Sequence, residues 1–281
     1  MSTISIGPTS KRAEEFARAF LNTKPAGTNR MTPDMVKATM TRLLDDAGTS
    51  PLELELRRLA TKSPVMLAIK DRIRAITNRT EPVLILGDTG TGKELVARAI
   101  HGAKFDLDMP FVAENCAAIP EGLAATTFFG SKKGSYTGSV ADTDGKLVEA
   151  AGGTIFLDEV GSMSPAIQNL LLRAIQENEI YPVGSVKPVK ISCRFVAATS
   201  RDLRELVDKG KFLIDLYYRL NTFTIRIPPF RERPDDINVI AESLGYKDGI
   251  DPAYHEEVFR GGVRAIQTYI SRMSAYGDWR E

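Results

Sequence analysis

The feature that most constrains the fold is a short apolar run that leads through a glycine-rich loop into a helical pattern. Residues 83–86 read VLIL, residues 87–93 read GDTGTGK, and apolar side chains then recur at helical spacing. A strand, a glycine loop and a helix in this order are typical of a phosphate-binding loop, because the glycines let backbone N–H groups surround a phosphate at the helix N-terminus. We therefore predict an α/β fold with a nucleotide site at this loop.

The loop contains most of the candidate nucleotide-binding residues. Lys93 is expected to place its ammonium group near the β and γ phosphates. Glu94 stands where the general pattern has a serine or threonine for Mg²⁺, so the strict pattern is not met. A glycine turn without a ligand is the alternative, and the flanking strand and helix disfavour it. The predicted binding residues are Gly87, Asp88, Thr89, Gly90, Thr91, Gly92, Lys93 and Glu94.

Short apolar runs alternate with helical stretches over the rest of the central region, which predicts a three-layer α/β fold with a mostly parallel sheet. The strand-like runs are VLIL, FVA, TIFL, RFVAAT and FTIRI, and the helical stretches between them include LVARAI and LLLRAI. After Pro234 the pattern is helical to the end, which predicts a small helical lid at residues 236–281. Residues 1–58 are predicted to be a helical N-terminal segment of unknown role.

Composition excludes several classes of protein. The chain has 281 residues, 43% of them hydrophobic, which is enough for a substantial core. With 37 basic and 36 acidic residues the net charge is +1, so any contact with DNA is expected to be local or indirect. The two cysteines and two histidines lack metal-ligand spacing. No apolar run reaches about 18 residues, so we expect a cytoplasmic protein without a membrane segment.

Two carboxylates follow the third apolar run. Residues 154–157 read TIFL, and Asp158 and Glu159 come directly after them. At the end of a strand, Asp158 is suited to hold Mg²⁺ through water, and Glu159 is suited to orient and deprotonate the water that attacks a γ phosphate. An acidic pair alone is a weak signal, but its position about sixty residues after a phosphate-binding loop predicts a site of ATP hydrolysis.

Residues 59–235 resemble the central AAA+ domain of bacterial enhancer-binding proteins, the activators of sigma-54 RNA polymerase. Several blocks agree in order, and the family's own phosphate loop ends in Lys-Glu, which accounts for Glu94. The resemblance implies an Mg²⁺-dependent ATPase that assembles as a homohexamer. The blocks are SPVMLAIKDRIRAI, GDTGTGKELVARAIHG, PFVAENCAAIP, FFGSKKGSYTGSV, GGTIFLDEV, LLLRAIQENEIYPVGS, FVAATSRDL, FLIDLYYRLNTF and IPPFRERPDDI.

One block resembles the family's GAFTGA loop, which contacts sigma-54. Tyr136 stands for the phenylalanine of that loop, and serines replace its two alanines. An aromatic residue between glycines in a polar stretch is expected at the tip of an exposed loop, where it can bind a partner. The residues implied in sigma-54 binding are Gly134, Ser135, Tyr136, Thr137, Gly138 and Ser139.

The resemblance also implies roles for residues outside these motifs. Asn115 matches a residue proposed to hold the catalytic glutamate back. Thr199 and Ser200 stand at the nucleotide-sensing strand end, where the family usually has threonine and asparagine, and a capping role is the alternative for Ser200. Arg219 matches the second of two arginine fingers that act on a neighbouring subunit, and Leu213 stands where the first is expected. The loss of that positive charge predicts slow hydrolysis.

The stretch YGDWRE at residues 276–281 looks like a divergent version of the family's lid motif, which makes Arg280 the expected nucleotide-sensing arginine. A solvated arginine without that role is the alternative. Two further hypotheses of function stay open beside the sigma-54 activator. One is a degenerate AAA+ module that binds nucleotide and assembles with little turnover, and the other is an AAA+ remodeller that acts on another protein.

Overall fold

Five parallel strands form the central sheet, in the spatial order β2-β3-β6-β1-β7. The structure is a computed structural model that describes residues 51–102, 109–135 and 141–277. A separate antiparallel hairpin consists of two two-residue strands, β4 and β5. The strands are β1 (Val83–Leu86), β2 (Phe111–Asn115), β3 (Thr154–Asp158), β4 (Glu179–Ile180), β5 (Val189–Lys190), β6 (Arg194–Thr199) and β7 (Phe223–Arg226).

Helices cover both faces of the sheet and form the lid. Most of them lie between consecutive strands, as parallel pairing requires, since each chain crossover must return to the same edge. In chain order they are α1 (Pro51–Arg58), α2 (Pro64–Ala75), α3 (Lys93–Gly102), α4 (Glu121–Phe129), α5 (Lys146–Glu149), α6 (Pro165–Glu177), α7 (Leu203–Asp208), α8 (Ile214–Leu220), α9 (Asp236–Ser243), α10 (His255–Gly261) and α11 (Val263–Tyr276).

The strands bury both faces because successive side chains point to opposite sides of the sheet. In β3, Ile155 and Leu157 enter one core with helices α4, α6 and α8, and Phe156 enters the other with α1, α2 and α3. In β1, Leu84 lies in the first core, and its neighbours lie in the second. This arrangement confirms the predicted three-layer α/β fold with a parallel sheet.

Residues 51–58 pack on the central domain. Helix α1 contacts α3, and Leu56 is buried in the same core as β1. They are the described part of the segment predicted at residues 1–58, and its residues 1–50 lie outside the described residues. The described end of that segment is therefore helical, and it belongs to the helical layer on one face of the sheet.

The lid has its own small core. Ile237 of α9, Val258 of α10 and Ile266 of α11 are buried together, with Phe230 from the segment that leads into the lid. The three lid helices follow the last strand, as the sequence predicts.

The parallel register brings the ends of non-consecutive strands to one edge of the sheet. Leu86 pairs with Thr199, and Asn115 pairs with Asp158. The residues that follow β1, β2, β3 and β6 therefore meet at the carboxyl edge of the sheet, where open α/β folds bind ligands. None of the described helices is long and apolar enough to cross a membrane.

Candidate functional site

The phosphate loop leaves β1 and is closed by its own hydrogen bonds. Gly87 N–H donates to Thr199 O at 3.3 Å, and the Thr91 hydroxyl donates to Asp88 O at 2.7 Å. Gly90 and Gly92 have φ of 80° and 100°, values that L side chains rarely adopt. The loop thereby turns backbone N–H groups toward the N-terminus of α3, which begins at Lys93 and favours a bound anion.

The side chain of Lys93 is buried, with 7% of its surface exposed. Its Nζ donates to Gly87 O at 3.0 Å and to Asp88 O at 3.4 Å, and it lies 3.2 Å from Glu159 Oε1. An ammonium group has three N–H donors, and these three contacts match them. Lys93 therefore joins the phosphate loop to the acidic pair after β3.

Unlike Lys93, Glu94 does not direct its charged group toward the acidic pair after β3. It lies in the first turn of α3, and its Oε1 accepts hydrogen bonds from Arg98 Nε at 3.0 Å and from Arg98 Nη2 at 2.7 Å. Both side chains lie on the outside of the helix. Glu94 thus acts here as a surface partner of Arg98, one turn along the helix.

Asp158 and Glu159 stand side by side at the end of β3. Asp158 Oδ1 accepts the Glu159 N–H at 3.0 Å. Burial raises the pKa of the Asp158 carboxyl; the charge of Lys93 opposes this, and Glu159 adds to it. Two carboxylates thus face one ammonium group, an excess of negative charge that a divalent cation would balance.

The Glu159 carboxylate has two partners. Its Oε2 accepts the Ser200 N–H at 3.1 Å and the Ser200 O–H at 2.9 Å, while Oε1 faces Lys93. Burial alone would raise the pKa of Glu159, but the hydrogen bonds from Ser200 and the charge of Lys93 outweigh burial and lower it. The carboxylate is therefore held in its charged form, as a proton acceptor requires.

Thr199 and Asn115 lie at the same edge but are turned to local partners. Thr199 is buried, and its Oγ1 accepts the Arg201 N–H at 3.0 Å. Asn115 Oδ1 accepts the Ala117 N–H at 3.0 Å. Within the described part of the chain, Asn115 makes no hydrogen bond to Glu159.

Arg219 lies away from this cluster. It is exposed in the last turn of α8, and Leu213, just before that helix, is partly buried in the core. The Leu213 N–H is bound by Gln168 Oε1 at 2.7 Å. The position of Arg219 on the surface is compatible with a role at a neighbouring subunit.

Only the start of the predicted partner loop is described. Gly134 has φ 80° and open space where a Cβ would stand, and Ser135 packs against Gly184 in the β4–β5 connection. Tyr136, Thr137, Gly138 and Ser139, and likewise Arg280, lie outside the described residues.

The lid rests directly on the phosphate loop through Gly261 and Gly262, which no sequence motif marked. Val263 N–H donates to Gly90 O at 3.0 Å, and a Cβ on Gly90 would stand 2.5 Å from Gly261 O. Gly262 has φ 62° and is equally close to Gly90. Arg264 follows Val263 in the first turn of α11, and its side chain is exposed.

A second connection runs through the buried residues Arg233 and Asp236. Arg233 Nη2 donates to Thr91 O in the phosphate loop at 2.9 Å, and Arg233 Nη1 lies 3.6 Å from Asp236 Oδ2. Asp236 Oδ1 accepts hydrogen bonds from the Thr61 hydroxyl and from the N–H groups of Lys62 and Ser63, at 2.8 to 3.1 Å. The block RERPDDI contains both residues, and two charged groups three positions apart carried no signal of burial.

These groups fit a magnesium nucleotide. The glycine loop offers N–H groups, Lys93 offers a buried positive charge, and Asp158 offers a carboxylate beside Glu159 that a cation would stabilise in its charged form. All of them belong to the carboxyl edge of one sheet.

Comparison with known proteins agrees with this geometry. Residues 59–226 match the family model described as the sigma-54 interaction domain. The Nif-specific regulatory protein of Azotobacter vinelandii is 50% identical over 207 residues, which are 74% of this chain and 40% of that protein. The response regulator protein PilR of Pseudomonas aeruginosa is 44% identical over 223 residues, which are 79% of this chain and 49% of that protein.

A solved structure shows the same fold. NtrX from Brucella abortus in complex with ADP has a TM-score of 0.68 and 27% identity, and the match covers 90% of this chain and 59% of that one. The chain thus spans less than half the length of the two curated relatives above. The phosphate loop, the acidic pair and the sheet order occur here together with a family match over most of the central domain, and the chain belongs to the AAA+ family of sigma-54 interaction domains.

Proposed function

We propose that this chain is an ATPase that assembles as a ring, most simply a homohexamer, and remodels sigma-54 RNA polymerase to regulate transcription initiation. The observation that carries the proposal is the meeting of Lys93, Glu159 and Ser200 at one point of the sheet edge, next to a glycine loop. The family match and the ATP and ADP complexes of NtrX support nucleotide as the ligand.

The residues of the site would divide the work of hydrolysis. The phosphate loop, from Gly87 to Glu94, would bind the phosphates, with Lys93 at the β and γ positions. Asp158 would hold Mg²⁺ through water, and the ion supplies positive charge that stabilises the phosphates in the reaction. Glu159 would orient the attacking water and accept its proton. Thr199 and Ser200 would lie near the γ phosphate.

Two arginines extend this site beyond its own core. Arg219 would neutralise charge on the transferred phosphoryl group of a neighbouring subunit, which is why activity requires assembly. Leu213 leaves that function to a single arginine, so we expect slow hydrolysis. Arg264 is well placed to sense nucleotide from the lid, because its helix begins at the hydrogen bond to Gly90. Arg280 keeps the role predicted from the sequence as an alternative.

The loop at residues 134–139 would contact sigma-54, with Tyr136 as its aromatic group. Ser135 anchors the start of the loop against Gly184, which would couple it to the β4–β5 connection. The near-zero net charge favours indirect contact with DNA, and the proposed place of work is the cytoplasm.

A degenerate module that binds nucleotide with little turnover is the second candidate. The observation that favours it is the pair of replacements Leu213 and Ser200, at positions where the resemblance implies arginine and asparagine. Nucleotide binding and assembly without hydrolysis would support this alternative.

The variant Tyr136→Ala tests the proposed partner. We expect it to hydrolyse ATP at the wild-type rate but to lose binding to purified sigma-54 in the presence of a transition-state analogue of ATP, because the aromatic contact is removed. Tyr276→Ala removes a tyrosine that is 69% exposed on the lid and serves as the control. If wild-type protein hydrolyses ATP and does not bind sigma-54, the target is a different protein.

A further inference from the structure

We propose that Ser200, rather than Asn115, positions the carboxylate of Glu159 before nucleotide binds. This inference rests on the proposed ATPase function and assigns Ser200 a role on the glutamate itself. Ser200 is a positioning residue in this account, since it acts on the reaction through Glu159.

The contacts of the carboxylate carry the proposal. Both hydrogen-bond donors of Ser200, its N–H and its hydroxyl, converge on Oε2 of Glu159, at 3.1 Å and 2.9 Å. Two donors on one oxygen fix the direction of the carboxylate more firmly than one would, and hydrogen bonds to a charged acceptor are about twice as strong as neutral ones. Ser200 thereby holds one end of the carboxylate, and Lys93 holds the other.

The backbone on both sides makes this contact possible. Glu159 adopts φ 54° and ψ 47°, a left-handed conformation that is unusual for a side chain with a Cβ and that turns the chain out of β3. The turn that follows, Val160–Ser162, is tied to the end of β6, because Arg201 Nη1 donates to Gly161 O at 3.2 Å. The strand end that carries Ser200 and the turn that carries Glu159 are therefore joined.

Asn115 is committed elsewhere. Its Oδ1 accepts the Ala117 N–H, and the next residue, Cys116, donates its N–H to Asp158 O at 2.9 Å. The Asn115 side chain thus closes a turn within its own segment, although β2 and β3 place it directly opposite Asp158. The register alone would have suggested Asn115 as the partner of the acidic pair.

Lys93 and Ser200 would lose their contacts with the Glu159 carboxylate in different ways. A phosphate at the loop would compete for Lys93, so the Lys93 contact is lost as soon as nucleotide binds. The Ser200 contact does not involve the loop and survives that step. Ser200 would therefore retain Glu159 until a further change at the end of β6 moves it.

A double-mutant cycle on nucleotide-free protein tests the contact without any turnover. Ser200→Ala should lower the melting temperature by roughly 4 °C in the wild-type background and by much less in the Glu159→Ala background. Ser200→Thr, which keeps the hydroxyl, should restore most of the loss. Equal effects of Ser200→Ala in both backgrounds would overturn the proposal, as would coupling of Glu159 to Asn115→Ala instead.

Steady-state hydrolysis gives a second readout that a purely structural role would not move. Ser200→Ala should change kcat severalfold with little change in KM, and Ser200→Thr should again resemble wild type. A change in KM alone would indicate that Ser200 binds the nucleotide and would contradict the positioning role. If no variant and no wild-type preparation hydrolyses ATP, the proposed function fails while the thermal cycle still decides whether Ser200 holds Glu159.

Discussion

At the scale of single residues, the Glu159 carboxylate is held between the Lys93 ammonium group and both hydrogen-bond donors of Ser200. Lys93, Asp158 and Glu159 were identifiable because each follows a strand-like run within a recognisable motif, and the structure brings Lys93 and Glu159 to 3.2 Å. The partner of Glu159 was not predictable, because it depends on the left-handed backbone at that residue, which no local pattern encodes. The resemblance implied Asn115 as the partner of the glutamate and gave Ser200 a role in sensing nucleotide.

His101 gives a prediction about pH and stability. Burial lowers its pKa from 6.5 to about 4, despite a backbone hydrogen bond at Met109 that opposes the shift. The unfolded chain therefore binds a proton below pH 6.5 that the folded protein excludes, so stability should fall between pH 6.5 and 4, at a limiting slope of about 1.4 kcal/mol per pH unit from this group. Urea unfolding at several pH values measures the slope.

The variant His101→Gln isolates the contribution of this histidine. It keeps a polar group near the Thr154 hydroxyl, which lies 2.9 Å from His101 Nδ1, but it cannot titrate in this range. The free energy of unfolding of the variant should therefore depend less on pH than that of the wild type between pH 6.5 and 4. Identical slopes for the two proteins would show that folding does not lower the pKa of His101.

At the scale of elements, the apolar runs predicted all five strands of the sheet, since buried parallel strands read as continuous hydrophobic segments. The β4–β5 hairpin was not predicted, because strands of two residues carry no periodicity. The contact of the α10–α11 junction with the phosphate loop was missed for another reason. It joins Gly90 to Gly262, which are distant in the chain, and glycines leave no side-chain pattern to follow.

Asp236, at the start of α9, connects this helix to residues 61–63 and to Arg233, and Asp236→Asn tests that connection. The carboxylate is fully buried and accepts hydrogen bonds from residues 61–63 while it faces Arg233. An amide would place a donor against N–H groups and leave Arg233 as a buried charge without its counterion. We expect a loss of about 3–5 kcal/mol in the free energy of unfolding, measured by urea denaturation.

The neighbouring residue provides a matched control for this prediction. Asp235 is exposed, and Asp235→Asn changes the same charge by the same amount at the next position. Its effect should stay within about 0.5 kcal/mol. A similar small effect for Asp236→Asn would show that the buried network contributes little to stability.

At the scale of the whole molecule, the three-layer α/β domain and the lid meet at the phosphate loop. The lid is tied to that loop by Val263 and by Asp236 through Arg233, so its position and the shape of the phosphate site depend on each other. The sequence predicted the three-layer domain and the lid, because each has its own apolar pattern. It did not predict how they dock, since docking depends on a buried ion pair and a glycine contact.

ATP hydrolysis with Mg²⁺, measured across a range of protein concentrations with Glu159→Gln as the control, tests whether the chain is an ATPase that works only when assembled. Because Arg219 is exposed and would act on a neighbouring subunit, specific activity should rise with protein concentration, and the control should abolish it at every concentration. Binding of ATP without turnover at any concentration would contradict the account and leave a nucleotide-binding module that does not work as a motor.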